Sequence, residues 1–168
     1  MTDRATEPVT IAIVTVSSTR ARGSGEPDLS GDALAELVDR VGGDLAARRL
    51  VADDRPAIEA TLRELADDQG CDLVLTTGGT GLTVDDVTPE ATAAVIDRPA
   101  AGIAEAMRAA SAPHTRYWML SRAVAGVRGS TLIVNFPGSP KAIAEAGAAI
   151  EPVVDHAVAL LRRPRGGR

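Results

Sequence analysis

Residues 76–92 read TTGGTGLTVDDVTPEAT, a glycine- and threonine-rich turn that runs straight into two aspartates. Gly78, Gly79 and Gly81 permit positive φ and let a ligand approach the main chain, while Thr76, Thr77, Thr80 and Thr83 supply hydroxyls. A helix start signalled by Thr88-Pro89 adds free N–H groups and a partial positive charge, so the turn suits an anion. Asp86 has the wrong sign for such company: two like charges 4 Å apart repel by about 4 kcal/mol at an effective dielectric of 20. A cation between them resolves the conflict. Magnesium fits, because it is held by one or two carboxylates plus phosphate oxygens and keeps most of its waters. Asp53-Asp54 forms a second acidic pair. Adjacent residues of extended chain face opposite ways, so one aspartate of each pair is expected at the site. Asp54 doubles as a helix cap two residues before Pro56, and Asp85 as a solvated loop charge, which leaves Asp53 and Asp86 as the metal and catalytic candidates.

Other chemistries fail on residue type. A Walker A loop needs Gly-Lys-Ser/Thr, and the one lysine is Lys141. A dinucleotide fingerprint fails because GTGLTV puts Val84 at the third glycine position and follows the third strand instead of the first. There is no G-x-S-x-G elbow, and His114 and His156 read as structural or solvated. The single Cys71 excludes an internal disulfide and a Cys-x-x-Cys metal site, and reads as a small buried hydrophobe. A net charge of −5, seventeen scattered arginines and only three aromatic residues remove both the basic face and the stacking platform of a nucleic-acid binder.

Elements must deliver these residues to one place. The 168 residues suit a single domain over 1–168, with 1–8 and 163–168 expected to be flexible. No apolar run approaches the ~20 residues of a membrane span and no signal-type segment opens the chain, so a cytoplasmic protein is expected. Strand-length β-branched or apolar runs cover 9–16, 44–51 and 72–77. Helical patterns begin at Ser30 as N-cap, near Pro56, at Thr88 as N-cap with Pro89, around 101–110, and at Ser139-Pro140 with an interruption at Pro152. The stretches AVAGVRG and STLIVNF read as a hairpin. Alternating strands and helices, with strands apolar on both faces, predict a three-layer doubly wound α/β fold with a mostly parallel sheet. Ligands bind at the carboxyl ends of such strands, where loops 17–29, 52–55, 76–87 and 137–139 should converge.

In this setting LTTGGTGLT followed by DVTPEAT resembles the signature of the molybdopterin-binding fold shared by molybdopterin adenylyltransferases of the Mog and MoaB type. The likeness continues through VTVSSTR, DLSGDAL, LVADD and LSRAVAGVRGSTLIVNFPGSPKA, and spans about residues 9–161. The resemblance implies magnesium-dependent transfer of an adenylyl group from ATP to molybdopterin, with pyrophosphate released. It places the essential acidic pair at Asp53 and Asp86, and substrate contacts at Thr76, Gly78, Gly79, Thr80 and Gly81. Asn135, Pro137, Gly138 and Ser139 would form a second anion pocket to which Lys141 adds charge, and Ser121, in the LSR motif, would be a further substrate contact. It further implies a homotrimer or hexamer and a molybdenum-insertion enzyme as downstream partner. Ser18 stands where many members have Asp, and Asp85 where many have Arg or another residue. Two alternatives share the scaffold: a nucleotide pyrophosphatase of the competence/damage-inducible type, and a pterin-binding paralogue without catalysis.

Overall fold

The computed structural model describes residues 7–163; residues 1–6 and 164–168, most of the ends expected to be flexible, lie outside that range. At its centre are β1 (Thr10–Val16) and β3 (Leu73–Thr77), in which almost every position is buried. Period-two alternation then feeds two separate cores. Ile11 and Ile13 pack with Leu34, Leu37 and Val38, whereas Ala12, Val14 and Val16 pack with Ile58, Leu62 and Leu65.

One six-stranded sheet results, in the order β2 (Asp44–Val51), β1, β3, β6 (Thr131–Phe136), β5 (Ala125–Arg128), β4 (Arg98–Pro99). The edge strand β2 has the bounds the sequence predicts. It pairs in parallel with β1; β1 pairs in parallel with β3, and β3 with β6. The expected hairpin is present: β5 runs antiparallel to β6, and the two-residue β4 extends that edge. Helices α2 (Leu29–Arg40), α5 (Ala101–Ser111), α6 (Pro140–Ile150) and α7 (Val154–Leu161) cover one face. Helices α3 (Arg55–Arg63) and α4 (Thr88–Val95) cover the other, so the fold is the three-layer α/β arrangement. Among the described residues no helix is long and apolar enough to cross a membrane.

Three local readings change. Helix α2 is capped by Asp28, not Ser30: the Asp28 carboxylate accepts from Gly31 N at 3.0 Å and from the Thr15 hydroxyl at 2.7 Å. Thr88 is already helical, and its hydroxyl donates to Gly78 O at 2.9 Å instead of capping α4. The loop after β1 contains a short helix α1 (Ser18–Ala21), with Ser17 accepting from Arg20 N. Asp54 does cap α3, accepting from Ala57 N at 3.0 Å. Cys71 is buried as expected, and burial pushes its thiol up from the ordinary range.

At the amino end of the sheet Asp72 sits just before β3, with its side chain 3% exposed. It accepts from Thr10 N and Oγ1, and from Nε and Nη2 of Arg162 at 2.9 and 2.6 Å. Arg162 also donates to the carbonyls of Glu7 and Pro8. Two residues of the expected flexible start, Glu7 and Pro8, are therefore anchored.

Candidate functional site

At the carboxyl edge the four loops do converge. Beyond β1, Ser18 and Asp53 bind each other twice: Ser18 N donates to Asp53 Oδ2 at 2.7 Å, and Asp53 N to Ser18 Oγ at 2.9 Å. The chain turns sharply after β3, and Gly78 has φ +96. A Cβ at Gly78 would lie 2.4 Å from Val16 O, so glycine is required there by the neighbouring strand end. Gly79, at φ +66, faces the Thr88 hydroxyl and Asp53 Oδ1, which lie 2.4 and 3.5 Å from the place of an added Cβ. The fourth loop touches the third: the site of a Cβ on Gly138 is 3.6 Å from Gly78 Cα. Ser30 donates to Gly138 O at 2.5 Å, and Thr77 to Pro137 O at 2.8 Å.

Asp86 resolves the charge conflict in an unexpected way. Its Oδ2 accepts from Thr83 N at 2.9 Å and from Thr83 Oγ1 at 2.7 Å. Burial opposes its charge, but the Thr83 donors, the Gly81 backbone and the nearby Arg122 outweigh burial and hold the carboxyl below its ordinary range. Part of the anion cradle therefore already holds an anion, and that anion is Asp86. The N–H of Gly78 is also spent, on Phe136 O at 3.3 Å, whereas those of Gly79 and Thr80 have no protein acceptor among the described residues. Asp53 and Asp86 thus bracket the loop: Asp53 Oδ1 faces Gly79, and Asp86 Oδ2 lies 2.8 Å from where a Cβ on Gly81 would stand. Neither forms an ion pair among the described residues, and Asp85 beside them is exposed.

The remaining candidates divide. Thr76 and Asn135 are fully buried, and Asn135 Nδ2 donates to the hydroxyls of Thr76 and Thr92 while its Oδ1 accepts from Val124 N. Their side chains tie β3, β6 and α4 together beneath the loops. Thr80 is buried too, and its carbonyl accepts from Arg122 N. Ser139 caps α6, accepting from Ala142 N, and Lys141 is exposed in the first turn of that helix. Ser121 and Pro137 line a cavity of about 160 Å³ between α5 and α6, walled by Met107, Tyr117, Trp118 and Ala146. His114 and His156 are exposed, the former 3.8 Å from Glu145.

A family model described as "Probable molybdopterin binding domain" matches residues 12–156, most of the chain. The chain belongs to this family. It is 46% identical over 139 residues to a molybdopterin adenylyltransferase of Haemophilus influenzae, covering 80% of this chain and 69% of that protein. It is 38% identical over 157 residues to one of Helicobacter pylori, covering 92% and 89%. The crystal structure of a molybdopterin biosynthesis enzyme MoaB from Thermus thermophilus superposes with a TM-score of 0.86 at 44% identity, covering 93% of this chain and 98% of that one.

Within the molybdopterin-binding fold of this chain, Arg122 is the residue that sequence reasoning missed. Its Nε donates to Gly81 O and its Nη2 to Asp86 O, both at 2.7 Å, and Nη1 pairs with Glu90. Arg122 stands next to Ser121 in the LSR run, the one signal that pointed near it. Among the described residues no three or more His, Cys, Asp or Glu side chains group as a metal site. Magnesium asks for less, one or two carboxylates with phosphate oxygens and water, and Asp53 and Asp86 are the carboxylates beside the glycine turn.

Proposed function

We propose that this chain is a molybdopterin adenylyltransferase that uses ATP and magnesium. An oxygen of the terminal phosphate of molybdopterin attacks the α-phosphorus of ATP. The bond from that phosphorus to the bridging oxygen of the β-phosphate breaks, and pyrophosphate leaves. Such a transfer depends on alignment and charge neutralisation more than on covalent chemistry from the protein.

Asp53 and Asp86 would hold magnesium, which when bound neutralises phosphate charge. Ser18 orients Asp53, and Thr83 orients Asp86, before substrate arrives. The N–H groups of Gly79 and Thr80 receive a phosphate oxygen beside the acids. The apolar cavity at Ser121 and Pro137 takes the flat ring of the pterin, with Lys141 near the mouth of the fourth loop as a countercharge. One observation carries this reading: two carboxylates in the loops after β2 and β3, each fixed by neutral donors and neither in an ion pair among the described residues, flank one glycine turn.

Incubation with ATP, magnesium and molybdopterin tests it. Adenylylated pterin and pyrophosphate are expected. Nucleotide breakdown without pterin would replace the proposal by a pyrophosphatase, and pterin binding with neither product by a non-catalytic binder.

A further inference from the structure

We infer that Arg122 is a positioning residue: it fixes the Asp86 turn against the body of the fold and thereby sets the affinity for the divalent cation. For the cation this rests on the adenylyl-transfer reading; for the loop it rests on hydrogen bonds alone.

The excursion between Thr80 and Val87 has little else to hold it. Leu82 and Val84 are 65% and 93% exposed, so the first apolar side chain that packs on the core is Val87, at the end of the turn. Thr88 secures its ends, through its hydroxyl on Gly78 O and its N–H on Gly79 O. Inside the turn, Thr83 donates to the Asp86 carboxylate and Asp86 N donates to Thr83 O, but these bonds travel with the turn. They shape the carboxylate locally and say nothing of its position relative to Asp53, which Ser18 holds on another element. Arg122 supplies that reference. Its own N–H donates to Thr80 O at 3.0 Å, and its guanidinium spans Gly81 O, Asp86 O and the Glu90 carboxylate in the first turn of α4. Both flanks of the turn and the next helix thus meet on one planar group.

Lysine cannot copy this, because a single ammonium lacks the rigid fork that reaches three acceptors at once. Outer partners of metal-holding carboxylates typically contribute about 10- to 100-fold to metal affinity or activity. The magnesium requirement should therefore move more than the rate at saturating magnesium.

The experiment titrates magnesium in the adenylyl-transfer assay with the wild-type chain, Arg122→Ala and Arg122→Lys. In parallel, amide hydrogen exchange at Thr83 and Asp86 is followed without substrates, and manganese binding by electron paramagnetic resonance. Expected are a rise of about tenfold or more in half-saturating magnesium for both variants, faster exchange at the two amides, and weaker manganese binding. Free guanidinium ion should partly restore Arg122→Ala and leave Arg122→Lys unchanged. An unaltered magnesium midpoint with unaltered exchange overturns the inference, as does an equal loss of rate at every magnesium concentration. If the wild-type chain makes no adenylylated pterin, the reaction reading fails, and exchange and manganese binding still decide the role of Arg122. Should Arg122→Ala not fold, Glu90→Gln frees one arm of the fork and carries the same expectation at smaller size.

Discussion

The two ends of the central sheet hold carboxylates in opposite ways. At the amino end Asp72 is 3% exposed; burial works against its charge, yet the Arg162 guanidinium and the Thr10 donors outweigh it and hold the carboxyl low. At the carboxyl end Asp86 is also held low, with its Oδ2 bonded to uncharged donors of its own turn. The first arrangement neutralises its charge inside the protein. The second shapes a charge and leaves it for something else to neutralise. A carboxylate that maintains the fold and one proposed to hold a cation thus differ by partner type more than by acidity.

Substitutions can break this contrast. Asp72→Asn should have the largest effect, because breaking a buried ion pair by removing one charge costs about 3–5 kcal/mol. Thermal or urea unfolding measures that loss. The effect is pH-dependent with a definite sign: a lowered folded pKa gives stability that is present above the ordinary carboxylate value of about 3.9 and fades below it. The wild-type advantage over Asp72→Asn should therefore be constant near neutrality and shrink as pH falls through the acid range. A constant gap down to low pH would show that the ion pair is not its source.

Asp86→Asn should do the reverse. Turnover falls by about 100- to 1,000-fold, in line with the loss of one preorganised charge-stabilising group, while unfolding changes little and pterin still binds. Steady-state rates with calorimetric pterin titration test this; an unchanged rate would remove Asp86 from the reaction. Gly79→Ala is expected to be the mildest of the three, at about 1–3 kcal/mol of strain for a non-glycine residue held at positive φ. Its contact with the Thr88 hydroxyl points to loss of both stability and rate. Gly25→Ala, also at positive φ but with open space around it, separates backbone strain from crowding in the site.

What could be read from the chain alone follows the range of the interactions. The sheet was legible because β1 and β3 are apolar at almost every position, a pattern that only a sheet covered on both faces requires. The Asp54 cap and the β5–β6 hairpin were legible because both partners lie within a few residues. Asp86 was nominated by a local clash of charge signs and Asp53 by a second acidic pair; their role in the reaction stays with the proposal. Arg122 was not nominated, since its acceptors lie 32–41 residues away and nothing in the LSR run points to them. Asp28 was passed over for Ser30 because a Thr15 hydroxyl, thirteen residues upstream, helps decide which side chain caps α2. The glycine turn was read as room for a ligand, yet Gly78 is required by the carbonyl of a neighbouring strand. Arg162 stands just before the end expected to be flexible, and its carboxylate partner lies 90 residues upstream.

Arg162 has one more effect, on the order of assembly. It grips the carbonyls of Glu7 and Pro8 while bridging to Asp72, so the start of the chain, the entry to a central strand and the last helical turn meet at one clasp. A ribosome must release almost the whole described length before that clasp can shut. Until then the first strand lacks its final fastening, and a chain cut short ahead of residue 162 would leave its opening segment as loose as its end.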